Sequence, residues 1–583
     1  LDQRQAGWSE MRAAACKTVP IDRATEQCLV LSARGIDAGI QWLSRVTPEH
    51  ISELETLLEI VPDARDCLDS PPPAPADGSI RAVDIRHRIL ISRLQARSGK
   101  ADAGLVAATA ARHAAQDLGF DALVAEAALA EGESARLGGG DLASARLAYE
   151  DAYAVALQAG HTRVAAQAAA GVIRVSTELS ADPGSWLTKA SDALGDVGGL
   201  VAVDVGLARA RGLAAVERWD DAIVAYEGVR KAVDASVQDV PPPMRLALYG
   251  GFADALLVKG RRDEASTQAE HALALAESAL GSGHPSVASA LTRLGTIALQ
   301  RGQIQDAENR LRRALELTDG GAGASDGELD DLLLSLAIVV SAQGGHDEAR
   351  SLLERAIALP SVDGSVAPLL GELCRVLMQQ GELATARLRC QDAIAAHREH
   401  SAEDHVTMLR LEHQLGQVLL AQGELPAAEQ RLSDGLARVE KHFGPGHPRA
   451  APILIVLAEL RQKQARPDDA VALLDRVAAL SSTLGAADHD VVTAVARRAW
   501  LLIEAGRAQE VLAVIRSQHS AAGDALAPID RFELAFAEAG ALWGASEQQD
   551  ALATANRARQ DYGRSDRARP EALARIDRWL ADR

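Results

Sequence analysis

Gly260-Arg-Arg-Asp-Glu-Ala265, followed seven residues later by Ala272, decides the architecture, because the same pattern keeps returning. Gly302-Gln-Ile-Gln-Asp-Ala307 leads to Ala314, and Gly344-Gly-His-Asp-Glu-Ala349 leads to Ala356. Gly381-Glu-Leu-Ala-Thr-Ala386 leads to Ala393, and Gly423-Glu-Leu-Pro-Ala-Ala428 leads to Gly435. Weaker copies begin at Gly99, Gly140, Glu217, Ala465, Gly506 and Ser546. The starts at 260, 302 and 344 are 42 residues apart, as are those at 381, 423 and 465, with one step of 37 between the two sets. A fixed period of this size marks a stack of supersecondary units, about twelve of them, with the one near Asp182-Pro183 the least regular.

Each part of the pattern has a physical role. The glycine ends a helix where a left-handed residue is required. The acidic residues after it complement the dipole of the next helix. The alanine five positions on sits where two antiparallel helices touch, and the later small residue lets the next hairpin stack. A single hairpin cannot bury its own apolar face, so the hairpins must pile into a solenoid.

Composition agrees. Of 583 residues only 3% are aromatic, while 48% are hydrophobic and 24% charged, so the core is built from small aliphatic side chains. A β-sandwich or barrel needs β-branched and aromatic residues at period two. The formal net charge of −20 argues against nucleic acid and anionic membranes and permits basic peptides or domains as partners. No apolar run approaches the ~18 residues of a spanning helix.

The repeated residues resemble the tetratricopeptide repeat. The 42-residue period and the linker Gly283-His284-Pro285, repeated as Gly446-His447-Pro448 and decayed to Asp488-His489-Asp490, are similar to the kinesin light chain subtype. The stretch from His284 to Gly295 matches the family's segment between linker and turn. The resemblance implies an all-α, right-handed superhelical solenoid whose first helices line a groove for an extended peptide or partner helix. Counting from the turns, the groove candidates are Thr292, Arg293, Thr296, Gln300, Arg375, Gln379, Arg410, His413, Gln414, Gln417, Glu459 and Lys463. Kinesin light chains carry an Asn pair that clamps peptide backbone where this chain has Thr292-Arg293 and His413-Gln414, a departure that counts against kinesin-type cargo recognition.

The sequence divides into an N-terminal helical segment (1–69), a Pro-rich linker (70–79), divergent repeats (80–240), regular repeats (241–505), and degenerate C-terminal repeats with a capping helix (506–583). Residues 1–69 read as helices over roughly 2–17, 22–46 and 48–68, broken at Pro20 and Pro48. Pro241-Pro242-Pro243 separates the divergent repeats from the regular ones. Trp8-Ser-Glu-Met-Arg12, Ala15-Cys16, Cys28-Leu29, Cys67-Leu-Asp and the Pro-rich linker resemble the region behind the catalytic domain of myxobacterial-type serine/threonine protein kinases. That resemblance implies a kinase domain and a membrane helix upstream of Leu1, with this chain as a fragment on the extracytoplasmic side.

Five cysteines are present, none in a C-x-x-C pair. Cys374 and Cys390, on the two helices of one repeat, read as free core thiols. If the N-terminal segment is extracytoplasmic, as the kinase arrangement implies, a disulfide such as Cys16–Cys28 forms. If it is cytoplasmic, Cys16, Cys28 and Cys67 are buried thiols. His284, His447 and His489 read as turn or capping residues, and His397 with His400 lacks the partners of a metal site. Gly281-Ser-Gly-His-Pro and Gly444-Pro-Gly-His-Pro lack the Lys-Ser/Thr end of a phosphate loop. The acid pairs Asp220-Asp221, Asp330-Asp331 and Asp468-Asp469 read as residues of helix starts. No catalytic, cofactor or metal set emerges. The expected function is a non-enzymatic scaffold for a protein or peptide ligand, as the docking region of a kinase. The alternatives are a free-standing scaffold and an accessory domain of another signalling enzyme.

Overall fold

The computed structural model describes residues 23–43, 73–74, 80–138, 141–179, 181–195, 197–235, 240–320, 326–359, 366–400, 406–565 and 570–583. Among these residues all regular structure is helical, and the chain forms two compact units, Leu1–Gly323 and Ala324–Arg583.

In the first unit, helix α1 (Arg23–Leu43) packs on α2, and Arg34 Nη1 donates to Asp84 Oδ1 at 2.7 Å. The helices expected over 2–17 and 48–68 lie outside the described residues. Six hairpins follow: α2 (Ile80–Arg97) with α3 (Ala101–Leu118), α4 (Asp121–Leu137) with α5 (Leu142–Gln158), and α6 (Thr162–Glu178) with α7 (Trp186–Leu194). Then come α8 (Gly199–Ala215) with α9 (Trp219–Ala235), α10 (Pro242–Val258) with α11 (Arg262–Ala279), and α12 (Pro285–Gln300) with α13 (Ile304–Gly320). The irregular repeat at Asp182-Pro183 is a hairpin with a shortened second helix. Pro242 and Pro243 open α10, where a missing N–H costs nothing. One buried core runs from Ala125 to Ile297.

The second unit repeats the plan. Its hairpins are α14 (Asp326–Ala342) with α15 (His346–Ile357), α16 (Ala367–Gln379) with α17 (Leu383–His400), and α18 (Val406–Ala421) with α19 (Leu425–Phe443). They continue as α20 (Ala451–Lys463) with α21 (Pro467–Ala478), the single turn α22 (Ser481–Leu484), α23 (His489–Glu504) with α24 (Ala508–Ala522), and α25 (Pro528–Gly544) with α26 (Gln548–Gly563). The closing helix α27 (Pro570–Ala581) places Trp579 edge-on against Phe536 and Trp543. Scarce aromatics are thus concentrated where the last hairpin lacks a following neighbour.

The small residues of the repeat lie where their spacing predicts. Ala265, Ala307, Ala349, Ala386, Ala428 and Ala470 are all fully buried. At the turn, Gly302 takes φ 70° while Gln303 N donates to Ala298 O at 2.8 Å. The same bond closes the turns that lack glycine: Arg218 N to Leu213 O, Arg466 N to Arg461 O, and Glu547 N to Leu542 O, each at 2.9 Å. Glu217 (φ 58°), Ala465 (57°) and Ser546 (71°) are therefore held left-handed at the weak copies of the repeat.

Two expectations change. Cys374 and Cys390, read as free thiols, are joined in a disulfide, because the facing helices α16 and α17 bring their Cα atoms to 5.4 Å. Asp330 and Asp331 sit one turn inside α14, which begins at Asp326, and not in its first turn. Asp220, Asp221, Asp468 and Asp469 do occupy first turns.

Candidate functional site

The first helices of the hairpins stack on one another, and in the first unit α2, α4, α6, α8 and α10 line a half-open cavity of about 460 Å³. Its polar side is built from arginines. Arg93 on α2 makes a forked pair with Glu133 on α4, at 2.6 Å from Nε and 2.8 Å from Nη2. Arg174 on α6 pairs with Asp204 on α8. Arg136 on α4 donates from Nη1 to Glu178 on α6 at 2.8 Å, while its Nε is buried and has no acceptor. Arg97 and Gln167 complete the polar lining, and Leu137, Leu200, Val201 and Met244 form the apolar side.

Tyr149 reaches this cavity from a second helix, α5, which requires a gap between first helices. Two glycines supply it. A Cβ on Gly132 would lie 2.7 Å from the Tyr149 ring, and one on Gly171 would lie 2.5 Å from it. Burial, reinforced by Glu133, pushes the Tyr149 phenol up to about 12, so it stays neutral and able to donate. Burial works against charge on Glu133 too, but Arg93 and Arg97 prevail and hold its carboxyl below the usual range. For Arg174 the balance is similar: burial opposes the charge, and Asp204 more than restores it. The cavity thus keeps its charges.

Below the cavity, Arg86 and Glu126 form a second forked pair at 2.7 and 2.9 Å, with His161 Nε2 3.3 Å from the same carboxylate. Burial penalises the Glu126 charge, yet Arg86 and His161 bring its pKa down to about 2. Ion pairs of this kind, about 40 residues apart in sequence, join successive repeats throughout each unit.

Ion pairs and hydrogen bonds also engage several of the groove candidates. All lie on first helices: Thr292, Arg293, Thr296 and Gln300 on α12, Arg375 and Gln379 on α16, Arg410, His413, Gln414 and Gln417 on α18, and Glu459 and Lys463 on α20. Arg293 Nε is 3.0 Å from Asp254 Oδ1, and Glu459 accepts from Arg497 at 3.0 Å. Arg375 pairs with buried Glu372 on its own helix. Gln379 Oε1 accepts from Ser341 Oγ at 2.9 Å. Thr292 and Thr296 donate back to Ala288 O and Thr292 O. Gln414 is buried, and burial lowers His413 to about 4, so its imidazole is neutral at pH 7. Gln300, Arg410 and Lys463 are exposed, and Gln417 is half-buried.

In the inter-repeat linkers, His284 Nδ1 accepts from Ser286 N and His447 Nδ1 from Arg449 N, both at 3.2 Å. The third linker caps with Asp488, which accepts from Asp490 N and Val491 N. His489 is therefore no cap: it is the first helical residue, and its Nδ1 lies 2.6 Å from buried Asp530. Cys28 is disulfide-bonded, whereas Cys16, its expected partner, lies outside the described residues.

The arginines of the cavity were not singled out from the sequence, because its groove positions were counted only in the regular block. Arg93, Arg136 and Arg174 recur at roughly the repeat period near the ends of first helices, and that recurrence is the signal that could have found them.

The tetratricopeptide repeat family pattern matches residues 244–319 and 407–482, so the hairpins within those two stretches match tetratricopeptide repeats. No curated protein matches the chain in sequence. Among solved structures, nearly identical TPR-like repeats from Podosopora anserina, assigned to a kinesin light chain, are 20% identical, with 35% of this chain and 98% of that one covered and a TM-score of 0.31. The apo quorum sensor NprR from B. thuringiensis is 13% identical over 63% of this chain and 99% of its own, with a TM-score of 0.47. A Rap protein complexed with competence and sporulation factor is 12% identical over 65% and 96%, with a TM-score of 0.43.

Proposed function

We propose that this tetratricopeptide array is a non-enzymatic scaffold for a protein or peptide ligand, and that it serves as the sensory or docking region of a bacterial serine/threonine protein kinase whose catalytic domain lies upstream of Leu1. The observation that carries the binding part is the first-helix cavity of the first unit, where charged and apolar side chains from five successive hairpins converge on one half-open cavity. A solenoid needs no such convergence for stability, since its core lies between the two layers of helices.

The kinase part rests on the N-terminal segment with Cys16, Cys28 and Cys67 and on the Pro-rich linker that follows it. An extracytoplasmic position is supported by the Cys374–Cys390 disulfide and by the bonded state of Cys28, since such bonds persist in oxidising compartments. The test has two arms. Capture by the full chain, followed by mass spectrometry, is expected to recover a specific protein or peptide, and recovery of none counts against the scaffold. The coding sequence upstream of Leu1 is expected to encode a kinase catalytic loop and one apolar helix. A start codon within a few residues of Leu1 assigns a free-standing scaffold instead.

A further inference from the structure

The ligand class can be read from the chemistry of the cavity. We infer that the first-helix cavity of the first unit takes a carboxylate side chain from an acidic peptide segment that is otherwise apolar. The inference rests on the scaffold reading above and deepens it.

The cavity's charge is opposite to that of the chain. Its lining holds four guanidiniums and two carboxylates, whereas the whole protein carries a net charge of −20. A site this cationic within an acidic molecule selects an anion by local complementarity, against the long-range field. Arg136 gives the position. Its Nε is buried without an acceptor, an unfavourable state that a ligand oxygen would relieve. The Tyr149 ring is held between Gly132 and Gly171, and its hydroxyl, which is hydrogen-bonded to Arg136, adds a second donor that is neutral.

A volume of about 460 Å³ is far too large for a lone ion and suits a few side chains. Leu137, Leu200, Val201 and Met244 supply an apolar wall for the residues that flank the acid. Glu133 and Asp204 decide between anions. The same two acids can accept N–H groups of a peptide backbone, which a phosphate ester alone does not offer. Arginine suits this task because it stays charged when desolvated and presents a planar fork to a carboxylate.

The experiment uses the full chain and three pools of N-acetylated, C-amidated hexapeptides, so that no terminal charge contributes. Each pool fixes position three as Glu, Gln or phosphoserine and varies the other positions among Leu, Val, Phe and Ser. Bound peptides are counted by mass spectrometry. The Glu pool is expected to be enriched at least about tenfold over the Gln pool, and Arg136→Gln is expected to abolish that preference. Arg97→Gln is the second variant, with far-UV circular dichroism confirming that both remain folded. Equal retention of Glu and Gln pools overturns the inference. So does a preference for phosphoserine, or a Glu preference that survives both substitutions. If these fail while the chain still captures a protein partner, the scaffold reading stands and only the ligand class falls.

Discussion

Cys374 on α16 is bonded to Cys390 on α17, so the two helices of one hairpin in the second unit are covalently tied. The closed loop spans a sequence separation of 16 residues, for which chain-entropy arguments give roughly 3 kcal/mol of stabilisation. Reduction, or Cys374→Ser with Cys390→Ser, is expected to raise hydrogen exchange in α16 and α17 by a factor matching that energy. Alkylation of the denatured, unreduced chain followed by peptide mapping should leave both cysteines unlabelled. Labelling of both would show that the bond is absent in solution.

Glu217, Ala465 and Ser546 occupy left-handed turn positions that glycine fills elsewhere in the repeat. A Cβ in that conformation costs about 1–2 kcal/mol, partly offset by the greater freedom that glycine gives the unfolded chain. Each of Glu217→Gly, Ala465→Gly and Ser546→Gly is expected to stabilise its unit by roughly 0.5–1 kcal/mol. Urea denaturation midpoints read the effect, and a lowered midpoint in all three would refute it.

The Tyr149 ring is clamped between two glycines, the tighter being Gly171. Gly171→Ala places a methyl group 2.5 Å from the ring and is expected to cost roughly 1–3 kcal/mol by overpacking. Combined with Tyr149→Ala, the two losses should be markedly less than additive, because removing the ring makes room for the methyl. Strict additivity in a double-mutant cycle would mean that the two side chains do not share this space.

Glu126 gives the first unit a definite acid response. Its pKa is about 2 in the fold against 4.5 for a free glutamate side chain, so the unfolded chain binds its proton first as pH falls. A depressed carboxylate contributes stability that is complete above about pH 4.5 and lost as pH falls towards 2. The full contribution is roughly 3 kcal/mol, of which about 2 is gone by pH 3. Glu126→Gln should flatten the loss of stability between pH 5 and 3, and Arg86→Met should destabilise at neutral pH by roughly 3–5 kcal/mol, since it leaves a buried carboxylate unpaired. Unfolding curves at both pH values check the two claims.

The repeat was legible because its markers are local. A turn glycine, an acidic first turn and an alanine at a helix contact each answer to neighbours within a few residues, so the spacing fixes hairpin, helix and stack together. The decayed turns at 217, 465 and 546 were found from the sequence in the same way, although their left-handed backbone was not. The linker illustrates the limit. His284 and His447 cap as their positions suggest, whereas in the third copy the cap shifted to Asp488 and left His489 to pair with Asp530, 41 residues away.

Sequence alone determined the all-α solenoid and the buried alanines, because hydrophobic period and turn chemistry act within one repeat. Only the tertiary structure decided which charges answer one another. Arg293, a groove candidate on α12, pairs with Asp254, and Cys374 faces Cys390 closely enough to bond. Arg93, Arg136 and Arg174 meet in one cavity because five hairpins stack at a particular rotation. That rotation is set by packing between repeats, as by Tyr149 between Gly132 and Gly171, and no local pattern in the chain records it.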